Sequence, residues 1–334
     1  MQRDSVQSDA VIEQLHFQTA ADLVEALRRT HPRWDDDLTR DTGWVFRGQR
    51  DSRWPLVPPV FRQSSHPLLL TYQRIVEDEW SDKNWKKWVG RRLKRPSDVD
   101  TTTWRRRLAT ASEHALTHAA TVRDFILLAL NTGHSQTPCP GFLWHVFDAA
   151  KHSDCLRNFF YGEIHNDDMV AFAIAQHHGV PTGLLDWTYN PLVAAFFAAE
   201  KLIQLTPEIM GSSLAVWSVR TKLFRLDLKD LRRLTVPPLL VPFLDAQEGL
   251  FTWSPTMYSS YLLHGSYPTF EEVIRRIAQK EPDAKLPLLR RLTLPVSEAR
   301  ELLRLLWREK MTRAHLMPTY DNVTTSLHLM NALR

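Results

Sequence analysis

Cysteine is almost missing from this chain of 334 residues, with Cys139 and Cys155 the only two. That is too few for a disulfide framework or a four-cysteine metal site, and it suits a reducing compartment. Long apolar runs are missing as well. The longest, Leu192 to Ala199, falls far short of the roughly 20 residues a membrane-spanning helix needs. The opening stretch MQRDSVQSDAVIEQ has neither an apolar centre nor a small-residue cleavage pattern, so it is not read as a secretory leader. Glycine is scarce, at 11 residues. No glycine-rich dinucleotide fingerprint, no phosphate loop ending in Gly-Lys-Ser/Thr and no nucleophile elbow occurs. No repeat period and no low-complexity segment is visible either. These absences lead to the expectation of a soluble, cytoplasmic protein with no membrane partner and no resident metal.

What is present is apolar material and an uneven spread of charge. A hydrophobic share of 43% is ample for a core, and the length allows one large domain or two at about 150 residues each. The net charge of +4 hides a basic segment. Lys86, Lys87, Arg91, Arg92, Lys94, Arg95, Arg105, Arg106 and Arg107 stand there among Trp85, Trp88 and Trp104. Such a segment can hold phosphates while indoles stack on bases. It can equally be a solvated helical face whose tryptophans point into the core.

The chain is organised around Ala175 to Ala199, AQHHGVPTGLLDWTYNPLVAAFFAA. A helix is expected to close at His177, His178 and Gly179, with glycine as the left-handed residue that ends it. Val180-Pro181 forces an extended passage, and Leu184 to Trp187 reads as a short buried strand. Asn190-Pro191 reads as the cap and first turn of the next helix, whose alanines (Ala194, Ala195, Ala198, Ala199) suit close packing on a sheet. His177, His178, Thr182, Asp186, Thr188 and Asn190 thus sit on turns inside an apolar frame, where chemistry or recognition tends to be found.

Residues 1–16 read as a polar, ragged start. A short amphipathic helix follows Thr19 as cap, and Trp44 to Gly48 alternates as a strand, with Trp44 and Phe46 on one face and Val45 and Arg47 on the other. Arg47 can hold a phosphate or carboxylate with its planar fork, or pair with an acid such as Asp186. Asp186 in turn can pair Arg47 or cap the turn before Pro191. Residues 67–161 read as helical. His114 and His118 have the i, i+4 spacing of a zinc pair, but no third ligand is evident. Asn166 or Asp167 is the expected cap of the next helix. Further strands are expected at Ser213 to Val219 and Arg291 to Pro295, a turn of helix at Lys229 to Leu234, and helices at Glu271 to Ile277 and at Ser297 to Trp307 with Ser297 as cap. The fold class expected is α+β: a small split, mostly antiparallel sheet with flanking helices and a helical insertion.

Phe46-Arg47-Gly48-Gln49, then Trp54 to Pro58 and Arg62, resembles the FRG domain family, named for that tripeptide. His178-Gly179-Val180-Pro181-Thr182, Leu184-Leu185-Asp186-Trp187-Thr188, Asn190-Pro191 and Ala194 to Ala198 extend the resemblance. Ala246-Gln247, Gly249 and Phe251-Thr252 look like its downstream element, and Met317-Pro318 like its ending. Gly183 and Leu244-Asp245 depart from it where the family tends to have arginine. On this resemblance residues 17–334 form one FRG-like domain with the helical insertion at about 67–161. The family implies a prokaryotic-type intracellular domain, often near mobile or defence genes.

A more distant resemblance is to ADP-ribosyltransferases of the arginine-serine-glutamate type. It implies NAD as co-substrate, with Arg47, Thr188 and Glu248 as the catalytic set. Arg47 would hold the diphosphate or ribose and Thr188 would orient the site. Glu248 would face the charge that grows on the ribose as nicotinamide leaves. Gly48, Gln49, His178, Thr182, Asp186 and Gln247 complete the implied cofactor contacts. The acceptor would be an unidentified macromolecule, and the activity that of a toxin or antiphage effector. The alternative is a non-catalytic nucleic-acid-binding or sensor module using residues 85–107.

Overall fold

The structure, a computed structural model, describes residues 10–34, 43–62, 66–71, 94–134, 137–146, 148, 152–203, 212–225, 229–237, 240–241, 243–281 and 287–334. Its centre is one seven-stranded sheet of order β1-β7-β4-β2-β3-β6-β5. The strands are β1 (Ile12–His16), β2 (Trp44–Gln49), β3 (Leu185–Thr188), β4 (Ser213–Arg220), β5 (Arg232–Leu234), β6 (Gly249–Trp253) and β7 (Leu289–Pro295). Only the β1–β7 pair is parallel; every other pair is antiparallel. With helices on both faces, this is the expected α+β class.

The split in the sheet lies between β2 and β3. β2 pairs with β4 along its whole length, from Trp44↔Arg220 to Gln49↔Ala215. Against β3 it has one pairing, Phe46↔Thr188. β3 is short because its neighbours end it: Pro181 precedes it, and Asn190-Pro191 starts a helix two residues beyond its end. After Phe46 the two strands therefore go separate ways and leave a fork.

Alternation along β2 divides the core as the sequence predicts. Trp44 and Phe46 enter one apolar cluster with helices α1 (Ala20–Ala26), α5 (Pro191–Ala199) and α8 (Ala299–Arg308). Val45 enters another with Trp187, Trp217 and helix α7 (Phe270–Lys280). A third cluster holds α2 (Thr101–Asn131) and α3 (His152–Tyr161), which fall within 67–161, together with α4 (Asn166–His177) and α6 (Met257–His264), which do not. Two short C-terminal helices, α9 (Arg313–Leu316) and α10 (Tyr320–Leu333), complete the chain.

Local rules place most helix ends. The side chain of Thr19 accepts from the Asp22 amide at the start of α1, and that of Asn190 from the Leu192 amide at the start of α5, with Pro191 as first residue. Gly179, at φ 90°, follows α4. Several expectations need correction. The ragged start ends earlier than residue 16, because Ile12–His16 is an edge strand with Ile12 and Leu15 buried. Lys229 to Leu234 holds a strand, not a turn of helix, since Arg232–Leu234 pairs with β6. His165, not Asn166 or Asp167, is the cap of α4, and no side-chain bond closes that end. Ser297 lies in a 3-10 turn, Val296–Glu298, so α8 starts at Ala299 with Glu298 as its cap.

Candidate functional site

Gly48 brings β2 against helix α5. A methyl group on its Cα would lie 2.0 Å from the Ala194 carbonyl oxygen and 2.7 Å from the Ala198 amide. Only a residue without a side chain fits there, and the alanines of α5 supply the matching flat surface. This contact fixes the end of β2 and with it the neighbouring Arg47.

Arg47 fills the fork. Its Nη1 donates to the Asp186 backbone carbonyl at 2.9 Å and forms an ion pair with the Asp186 carboxylate. The arginine side chain is 10% exposed and that of Asp186 58%. The second carboxylate oxygen accepts from Gln176 Nε2 at 2.7 Å, and Gln176 Oε1 accepts from the fully buried Thr182 hydroxyl. Thr182 is itself tied to the second motif, because its carbonyl accepts from the Val60 amide at 3.2 Å. One chain of polar contacts thus runs Thr182–Gln176–Asp186–Arg47 and joins α4, β3 and β2. Crowding by surrounding protein pushes the Asp186 pKa up. The charge and hydrogen bond of Arg47, helped by Arg62, outweigh it, and the carboxyl titrates below its usual range. Its exposed oxygen atoms stay in reach of water although protein surrounds the group.

Beside the fork opens a cavity of about 1210 Å³, lined among others by Arg47, Arg50, Arg62, Trp54, Tyr261 and Tyr267. Its size exceeds the roughly 300–1,000 Å³ of ordinary small-molecule sites. Three guanidiniums converge here within electrostatic range. Burial first, and then the charge of Arg47, pulls the Arg62 pKa down, with Asp186 acting in the opposite sense. Arg47 Nε is shielded from water and has no hydrogen-bond partner among the described residues.

The other residues singled out in the sequence have different surroundings. The Thr188 hydroxyl donates to the Gln247 carbonyl and accepts from the Asn190 amide at 2.9 Å, so it ties the turn before β6 to the start of α5. Glu248 sits in that turn at φ 48°, paired with Arg29 and 3.3 Å from Asn190 Nδ2. Gln247 Nε2 donates to the Leu316 carbonyl at 3.3 Å. Gln49 is buried, accepting from Trp217 Nε1 at 2.7 Å and donating to the Pro55 carbonyl at 3.3 Å. His178 caps α4 and stacks on Phe125 with ring centroids 6.0 Å apart; burial and then His134 lower its pKa. Of these, only Gln49 lines the cavity. Asp186 meets Arg47 through its carboxylate and its backbone carbonyl, Thr188 is paired with the neighbouring Phe46, and the partners of Glu248 are Arg29 and Asn190.

His118 is a core group, and His114 is half-buried on the cavity wall. His114 Nε2 donates to the Val60 carbonyl at 2.8 Å, which leaves Nδ1 to accept from the Tyr267 hydroxyl at 2.7 Å. His118 Nδ1 lies 3.3 Å from the Tyr258 hydroxyl. Of the basic segment, Lys86, Lys87, Arg91, Arg92, Trp85 and Trp88 lie outside the described residues. Arg105 and Arg106 are exposed, while Trp104 points into the core. Arg107 Nη1 donates to the Leu262 and Leu263 carbonyls, 3.1 and 2.7 Å away, at the end of α6.

Sequence reasoning missed Gln176, Arg50, Trp54 and Tyr267 as site residues. Gln176 had a usable signal: it is the polar residue of the last turn of α4, one position before the two histidines. Trp54 and Arg62 were visible only as parts of a motif.

No curated protein and no solved structure matches the chain. The family model of the FRG domain matches residues 146–205, the stretch that holds Gln176, Thr182, Asp186 and Thr188, and supports the resemblance to that family over this stretch.

Proposed function

We propose that the chain is an NAD-using enzyme, ADP-ribosyltransferase-like or NAD-cleaving, with the dinucleotide in the cavity beside Arg47. The observation that carries this reading is a nearly buried guanidinium in the fork of a split sheet, next to a cavity of dinucleotide size with two more arginines on its wall. Planar guanidiniums suit paired phosphates. In the reaction the bond from ribose C1′ to nicotinamide breaks, and its electron pair stays on the ring nitrogen. A lone pair from water or an acceptor group forms the new bond at C1′, and the attacking group loses its proton. Positive charge builds on the sugar between these events, and a carboxylate nearby favours it. Glu113 is the acidic side chain among the described residues that line the cavity, so this reading gives it the part that the distant resemblance gave Glu248. Thr188, Gln247 and Glu248 then hold the turn that keeps β3 in place. NAD consumption of this kind would suit a toxin or a defence effector.

The test is release of nicotinamide from labelled NAD, with and without cell lysate as acceptor. Arg47→Ala lowers release about a hundredfold or more, the scale of losing one charge-stabilising donor. Arg47→Lys keeps the ion pair but does not restore the turnover, because an ammonium lacks the fork. A folded wild-type protein that releases no nicotinamide in either setting ends this reading. The alternative, nucleic-acid binding, is supported by the exposed Arg105 and Arg106. It predicts affinity that falls steeply with salt and is lost when both are changed to glutamate.

A further inference from the structure

The cavity beside Arg47 carries more positive charge than its ion pair with Asp186 uses. Arg62 Nε donates to the Val57 carbonyl at 3.0 Å, which fixes the side chain by its inner nitrogen. Among the described residues no hydrogen bond or ion pair engages its two outer nitrogens. Arg50 likewise has no hydrogen bond or ion pair there; its guanidinium lies over the Trp54 ring at 5.4 Å. The connecting chain is stiff. Arg53 grips Asp51, the Trp54 amide donates to the Asp51 carbonyl at 3.2 Å, and Pro55, Pro58 and Pro59 set the path to a 3-10 turn that ends at Arg62. Two guanidiniums and one indole are thus held at set positions on one cavity wall.

Trp54 is the second unusual member. It is 46% exposed, in a chain whose other described tryptophans are mostly core residues. Arg50 is over the ring, and Trp54 is one of the residues that line the cavity. An indole kept open to water beside free guanidiniums is suited to stacking a flat heterocycle that carries phosphates.

We infer that Arg50, Arg62 and Trp54 form a seat for a purine nucleoside diphosphate, the two guanidiniums on the phosphates and the bicyclic base stacked on the indole. The inference rests on the reading of this cavity as the ligand site and assigns the ADP half of the dinucleotide to one wall. The mutual repulsion of Arg47, Arg50 and Arg62 is relieved when a dianion enters. Phosphate recognition sets affinity, and the indole sets the choice of base.

Calorimetric titration of the full chain with ADP, UDP, adenosine and inorganic pyrophosphate tests this. ADP is expected to bind more tightly than any of the other three. Trp54→Ala, at an exposed position, is expected to weaken ADP about tenfold, near the low end for one lost base stack, and to leave pyrophosphate unchanged. Arg62→Gln is expected to weaken both. Equal affinity of ADP for wild type and Trp54→Ala, equal affinity for ADP and UDP, or no binding of either ADP or pyrophosphate overturns the inference. The two readings fail separately. ADP binding that depends on Trp54 without nicotinamide release removes the enzyme and keeps the seat; nicotinamide release with ADP bound equally well by Trp54→Ala does the reverse.

Discussion

One buried imidazole, His118, and one half-buried on the cavity wall, His114, make the fold sensitive to mild acid, and the size of the effect follows from their surroundings. Burial pushes His114 down to about 4. Burial, and then the nearby His114, pushes His118 down to about 3. In the unfolded chain both titrate near 6.5. Between these limits the unfolded state binds more protons than the folded one, so stability falls as pH falls below about 6.5. At pH 5 each group is about 1.5 units below its unfolded pKa, which at 1.36 kcal/mol per unit costs about 2 kcal/mol each, or about 4 kcal/mol for the pair. The loss continues until the folded-state values are reached. Urea unfolding at pH 7 and pH 5, compared between wild type and His118→Leu, isolates one member. The variant lacks the more perturbed imidazole, so its loss over that interval is smaller by about 2 kcal/mol. Comparing the two chains cancels every other titrating group, including Glu271, which burial shifts upward. Equal losses in the two chains refute the reasoning, because His118 would then be hydrated and not enclosed.

Gly48→Ala forces a methyl group onto the Ala194 carbonyl, an atom that cannot rotate aside. The expected cost is about 3 kcal/mol or more, read as a melting temperature roughly 4 °C or more lower in a chain of this length. Gln176→Leu keeps the size of the side chain and cuts the contact between Thr182 and Asp186. It is expected to lower stability by about 1–3 kcal/mol, the cost of a buried hydroxyl without a partner, and to weaken pyrophosphate binding through a loosened Asp186. Glu248→Ala removes an ion pair with Arg29 whose members are 39% and 42% exposed, so stability changes by about 1 kcal/mol or less and nicotinamide release is retained; loss of release in a folded variant returns the catalytic role to Glu248.

What the sequence reveals here depends on distance along the chain. Thr19, Gly179 and Asn190-Pro191 act within four residues of themselves, and each does in the structure what its type suggests. The alternation of Trp44 to Arg47 was legible for the same reason: side-chain direction in a strand follows from residue order. β1 was not legible, because its partner is β7, with Ile12 opposite Leu289, and a parallel edge strand carries little alternation of its own. β5 is three residues with two arginines, and only pairing to β6 makes it a strand. Ser297 fits the cap pattern, but Pro295 and Val296 first wind a tighter turn and delay the helix. In the site, the residue types of Arg47 and Asp186 announced an anion and a cation. Their pairing was among the readings the residues offered, and the structure has it; the place of Gln176 between Asp186 and Thr182 was not legible.

Pairing with Asp186 and binding a ligand are not rival uses of Arg47. The carboxylate takes Nη1 alone, and Asp186 is more than half exposed, so the attraction is partly screened by water and the pair contributes little to stability. Nε, by contrast, is shielded and unbonded, at a cost of about 1–3 kcal/mol for an unsatisfied donor. A scaffold position gains nothing by retaining that cost; a lysine would reach Asp186 without it. On the proposed reading the planar fork meets a ligand beyond the nitrogen that Asp186 takes. The cavity that Arg47 shares with Arg50 and Arg62 is where such a partner fits. On the proposed reading Asp186 holds the fork in position for the anion, while Gln176 and Thr182 fix Asp186 from behind.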